Sequence, residues 1–112
     1  MNELPVIMRV EELFANITKI VAKLPNLEKQ TLGRRFEDKT LELLEVLIMA
    51  KNAPRALKAA YLIKASAAAE ILTFYLRILL EQKLANETTL HQLLAKNTEI
   101  SRMIGGWLKS VQ

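Results

Sequence analysis

The sequence has no cysteine, which excludes disulfides and thiolate metal sites and agrees with a reducing compartment. It has one histidine, His91, three glycines and three prolines in 112 residues, and few aromatics. A tetrahedral zinc site therefore lacks its usual ligands. A di-metal site in a helical bundle wants paired Glu-x-x-His elements, and His91 with Glu87 four residues before it has no counterpart. His91 is expected to be a surface residue near a helix start. Gly33 is solitary, and Gly105-Gly106 is not followed by Lys-Ser in the frame of a phosphate-binding loop. Long apolar runs are missing too. The richest stretch, Ala56 to Leu80, is interrupted by Lys58, Lys64, Glu70 and Arg77, whereas a membrane span needs about 18 or more apolar residues. The N-terminal Met-Asn-Glu-Leu-Pro has no basic region leading into an apolar one, unlike a secretory signal. A cytoplasmic protein without membrane contact is expected.

Nucleophilic catalysis requires Ser, Cys or Thr activated by a neighbouring base. Ser66, Ser101 and Ser110 are far from His91 in sequence, and no elbow or oxyanion loop is visible. Adjacent carboxylates such as Glu11-Glu12 and Glu37-Asp38 suit solvated helix faces. No catalytic, cofactor-binding or metal-ligating residue is assigned, and no enzyme is expected.

What is present is helix-forming residues. Apolar residues make up 51% of the chain, with Ala and Leu dominant. From about Pro5 to Leu24, the residues Val6, Val10, Leu13, Ile17, Ile20, Val21 and Leu24 recur at helical spacing. Leu24-Pro25-Asn26 then stops the helix. A second helix is expected over about Glu28 to Lys51. Leu32, Phe36, Thr40, Leu43, Leu47 and Ala50 form its stripe, and Leu41, Leu44 and Ile48 extend the apolar arc beyond one neighbour's footprint. Asn52-Ala53-Pro54 separates it from a third helix, about Pro54 to Leu84. That helix shows a main stripe of Leu57, Tyr61, Ala68, Ile71, Leu72, Tyr75, Ile78 and Leu79. A second stripe holds Leu62, Ala65, Ala69, Leu76 and Leu80, about a quarter turn away on a helical wheel. A fourth helix begins near Asn86-Glu87-Thr88, where Asn86 or Thr88 can cap it. Its stripe is Leu90, Leu93, Ile100, Ile104, Leu108 and Val111. Trp107 at the edge of that stripe is expected to anchor a core or an interface. Gly105-Gly106 costs helix stability there, through either close approach of a backbone or fraying at the terminus. Short loops between long helices make one all-α domain over residues 1–112, an antiparallel up-down four-helix bundle.

The second stripe of the third helix is assigned to an oligomer interface, because the helix carries more apolar surface than one bundle covers. Net charge is +4. Between Lys51 and Lys83 the bases Lys51, Arg55, Lys58, Lys64, Arg77 and Lys83 outnumber Glu70 and Glu81. Charges of this kind either bracket an oligomer interface and reach to water or contact phosphates. Arg55, Lys58, Arg77 and Lys83 are the candidate nucleic-acid contacts. Lys64 falls in the main apolar stripe, which calls for a carboxylate partner on another helix. Arg34 has Asp38 four residues on, at the spacing of an intrahelical ion pair.

Two segments carry a resemblance. One is Thr31-Leu32-Gly33-Arg34-Arg35-Phe36-Glu37-Asp38 with Thr40-Leu41-Glu42-Leu43-Leu44-Glu45. The other, more specific, is Ile100-Ser101-Arg102-Met103-Ile104-Gly105-Gly106-Trp107-Leu108-Lys109-Ser110. With the four-helix layout, from about Leu4 to Val111, they resemble the accessory variability determinant (Avd) proteins of diversity-generating retroelements. The first segment is also similar to a sister group, the four-helix proteins encoded in intervening sequences of large-subunit ribosomal RNA genes. The Avd resemblance implies a ring-shaped homopentamer of bundles. It implies association with a reverse transcriptase and with RNA or DNA, in support of mutagenic cDNA synthesis (mutagenic retrohoming), without catalysis. Resemblance to the sister group implies a structural oligomer of unknown activity. The four basic candidates come from the charge distribution and not from a family motif.

Overall fold

A computed structural model describes residues 4–112. Four helical rods run up and down: α1 (Leu4–Ala22), α2 (residues 26–52), α3 (Arg55–Glu81) and α4 (Glu87–Val111). The described residues contain no strand. Each rod packs on the next, and α1 closes the square against α4. The bundle is 44 Å long, close to the length of the 27-residue α3 at about 1.5 Å per residue.

The stripe expected on α1 is buried at every position from Val6 to Leu24. The helix itself ends at Ala22. The Lys23 and Leu24 amides donate to the Ile20 and Val21 carbonyls in a last tight turn before Pro25. The second rod begins with one helical turn, Asn26–Glu28. It widens into a π-helical segment, Lys29–Gly33, and continues as α-helix over Arg34–Asn52. The widening coincides with close approach to α1. A Cβ on Gly33 would lie 2.8 Å from Val21 Cγ1 and 3.3 Å from the Glu28 carbonyl oxygen. Phe36, Thr40, Leu43, Leu47 and Ala50 are buried as expected, joined by Val46, whereas Leu32 is only partly buried. The Thr40 hydroxyl donates to the Phe36 carbonyl at 2.8 Å, which satisfies a buried polar group locally. Phe36 meets Tyr75 of α3 edge to face, with centroids 5.8 Å apart.

On α3 the wholly buried residues are Leu62, Ala65, Ala69, Leu72, Leu76 and Leu79, with Ala68 nearly so. Both expected stripes thus contribute to one wide inward face, and Leu57 of the main stripe is instead 52% exposed. The helix closes with a Schellman motif: Leu84 N–H donates to the Leu79 carbonyl and Lys83 N–H to that of Leu80. Lys83 takes the left-handed position at φ 55°, where a side chain costs roughly 1 kcal/mol that glycine does not.

Asn86 caps α4, its Oδ1 accepting from Thr89 N at 2.9 Å. Leu90, Leu93, Ile100, Ile104 and Trp107 complete a single core cluster. The wholly buried Asn97 fastens α4 to α3. Its Nδ2 donates to the Ala69 carbonyl at 2.8 Å and to Thr73 Oγ1 at 2.9 Å. The small side chains Ala65, Ala68 and Ala69 leave room for that approach.

Candidate nucleic-acid interface and association face

The four basic candidates do not converge. Arg55 and Lys58 sit in the first turn of α3, while Arg77 and Lys83 lie at its far end, about 30–40 Å away by helical rise. Arg55 is exposed, and its Nη2 donates to the Ser110 carbonyl at 3.1 Å, tying α3 to the end of α4. Lys58 is half-buried. Its Nζ donates to the Ala50 carbonyl at 2.8 Å and to the Lys51 carbonyl at 2.9 Å. These are unpaired carbonyls at the C-terminus of α2, where a cation also opposes the helix dipole. Two of the ammonium's three donors are thereby committed inside the fold, so Lys58 caps α2. Its spacing as the fourth residue of a helix after a Pro-broken turn was the available signal.

Arg77 and Lys83 are exposed. The Arg77 guanidinium lies 5.7 Å from the centroid of the Phe74 ring, within cation–π range. Among the described residues neither forms an ion pair within 4 Å, the three pairs there being Lys39–Glu42, Arg102–Glu99 and Glu87 with His91 if protonated.

Lys64 is exposed and needs no buried partner, contrary to its place in the expected stripe. The structure puts it near Glu42 of α2. The Glu42 carboxyl is held below its ordinary pKa chiefly by a 2.7 Å hydrogen bond from Lys39 Nζ, partly offset by desolvation, with Lys64 adding a weaker pull. Arg34 does not reach Asp38; its Nη2 approaches Gln30 Oε1 at 3.5 Å, one turn back. His91 is exposed beside Glu87, with Nε2 and Oε1 3.8 Å apart. No group of three or more His, Asp or Glu side chains is placed to hold a metal ion among the described residues. No helix there is long and apolar enough to cross a membrane.

The residues expected to form an association face lie in the core instead. Leu62, Ala65, Ala69 and Leu76 are wholly covered by the chain's own helices, and Leu80 is partly covered. A second copy could not reach the first four without opening the bundle. Their stripe is the centre of the core, because the two stripes read from the sequence flank a single inward direction. The uncovered apolar surface of α3 lies on the opposite side. Ala56, Ala60, Ile63, Ala67, Ile71, Phe74 and Ile78 follow one another at steps of three or four residues, with Ile71 and Ile78 half-buried. Ile63 is 56% and Phe74 53% exposed. That spacing was present in the sequence, and its many alanines hid it. On α2, Leu41 and Ile48 are exposed and Leu44 half-buried, so the extra apolar arc expected there is uncovered. It lies on the flank of α2 opposite Lys39 and Glu42, which border the groove toward Tyr75 of α3. The chain thus offers two separate apolar surfaces, one on α2 and one on α3.

Trp107 is a core anchor, 2% exposed. The adjoining glycines are open: a Cβ on Gly105 or Gly106 would meet none of the described residues within 4 Å. Close approach of a backbone among the described residues therefore does not account for them.

A protein-family model described as bAvd-like matches residues 6–111. A search of curated proteins finds no match.

Proposed function

The chain belongs to the bAvd-like family, and from that premise we propose that it is a non-catalytic accessory protein of a diversity-generating retroelement. In this reading it binds the element's reverse transcriptase and its RNA or DNA in the cytoplasm and supports mutagenic cDNA synthesis. The observation that carries the reading is the family match over nearly the whole chain. It favours this role over a purely structural oligomer of the ribosomal intervening-sequence type.

Two features of the surface support it. Arg77 and Lys83 have no carboxylate partner within 4 Å among the described residues, and Arg77 lies over an exposed aromatic ring. Guanidinium and aromatic groups together suit unpaired bases and phosphates. The second is the pair of different apolar surfaces on α2 and α3. A copy that presents two unlike faces associates head to tail, and such contacts close into a ring when the rotation allows. A homopentamer is the closed form proposed here.

The test is direct. The purified protein is titrated with RNA and single-stranded DNA at several salt concentrations, and is co-expressed with the reverse transcriptase of such an element. Binding that weakens steeply with salt, together with co-purification of the polymerase, is the expected result. Absence of both at low salt would overturn the proposal.

A further inference from the structure

A cleft of about 370 Å³ opens between α1 and α4, closed at one end by the connection Leu84–Ala85–Asn86. Its size is within the range of small-molecule sites. The bases that line it are Lys19, Lys23 and Lys96, and no carboxylate lines it. None of the three forms an ion pair within 4 Å among the described residues.

Helical spacing makes this arrangement. Lys19 and Lys23 are four residues apart on α1, as Gln92 and Lys96 are on α4, so each pair shares a face. Ile20 and Leu93, buried at 8% and 2% exposure, form the floor between them. The amides of Asn16 and Gln92 stand on opposite walls. The result is an apolar bottom with the Asn16 and Gln92 amides and three lysines on the walls around it. Like charges on a concave apolar surface concentrate the potential there and draw anions in. Next to the closing segment, Lys83 occupies a left-handed position that glycine would take without strain.

We propose that this cleft binds one nucleotide unit, its phosphate among Lys19, Lys23 and Lys96, its base on Ile20 and Leu93 with Asn16 and Gln92 at the base edges. An apolar floor distinguishes this from a groove that merely tracks a phosphate backbone, and it suits a flat ring better than a peptide carboxylate. The inference rests on the nucleic-acid reading above for its biological setting. The same chemistry is available from a free mononucleotide and from an unpaired nucleotide of a bound strand.

The experiment compares the full chain with the double variant Lys19→Gln/Lys96→Gln. A second double variant, Arg9→Gln/Lys109→Gln, removes the same charge outside the cleft. Each is titrated with adenosine 5′-monophosphate and with a short single-stranded DNA, with the Ile20 and Leu93 methyl signals followed by NMR. Loss of charge-assisted contacts predicts about tenfold weaker binding in the cleft variant, a smaller change in the control, and methyl shifts in the unaltered chain. Mononucleotide binding alone identifies a free-nucleotide site and removes the nucleic-acid reading while the cleft stands. Equal strand binding by both double variants, with the methyl signals unmoved, overturns the cleft and leaves the nucleic-acid reading standing. No binding of either probe by the unaltered chain overturns both.

Discussion

Ala65 and Ala67 are the same residue two positions apart on the same helix, yet the first is wholly buried and the second exposed. They stand for the two faces of α3. The inward face, with Leu62, Leu72 and Leu76, is covered by the chain's own helices. The outward face, with Ile63, Ala67 and Phe74, is nearly as apolar and is left exposed by the described residues. Amphipathic pattern says only which side of a helix can be buried. Which of two apolar sides the fold covers depends on where the other helices stand. An apolar side left over is surface that association can use.

The contrast can be broken most forcefully from the inside. Leu76→Ala removes side-chain atoms from a wholly buried site and is expected to cost about 2–5 kcal/mol. A urea melt would show it as a lower midpoint with an unchanged slope. A loss comparable to that of an exposed residue would mean that the inward face has been misassigned.

The glycines repeat the contrast at smaller scale. Gly33 faces inward, and an added Cβ meets Val21 Cγ1 at 2.8 Å. Gly33→Ala is expected to destabilise by about 1–2 kcal/mol, because the strain of overpacking exceeds the gain in helix propensity. Val21→Ala in the same chain should recover part of that loss, and the melts of both variants check it. Gly105 and Gly106 face no described residue within 4 Å, so each substitution to alanine is expected to raise the stability of the isolated bundle by up to about 1 kcal/mol. Thermal melts at low protein concentration measure this. A gain at low concentration that reverses at high concentration would place the glycine pair against another molecule.

Much of the fold was legible in the sequence. The α1 stripe is buried at every expected position, since a narrow stripe on an outer helix has one solution. Asn86 is the α4 cap because only a short polar side chain before the first turn reaches the free amides. Other features depend on neighbours and could not be read. The π-helical segment comes with the close approach of Gly33 to Val21. Asn97 is buried because Ala69 and Thr73 of α3 supply its partners. Lys64 looked buried because its wheel position borders the inward face, but its side chain reaches solvent. On the candidate surface, Arg77 and Lys83 are exposed and form no ion pair within 4 Å among the described residues. Lys58 is engaged at the end of α2, a role set by the turn between the two helices. The stripe assigned to an association face lies in the core, because much of both stripes read on α3 turns toward one inward direction, while Leu57, Ile71 and Ile78 of the main stripe stay outside it.

In the proposed assembly the outward face of α3 joins copies of this bundle. The measurement is sedimentation equilibrium of the unaltered chain and of the Ile63→Asp/Phe74→Asp variant, with circular dichroism to establish that both fold. Exposed substitutions of this kind change folding stability by only about 0.5 kcal/mol each. The unaltered chain is expected to sediment as a multiple of 12.7 kDa and the folded variant as 12.7 kDa. An unaltered chain that sediments as a 12.7 kDa monomer at all concentrations, or a folded variant that assembles as well as its parent, would contradict it.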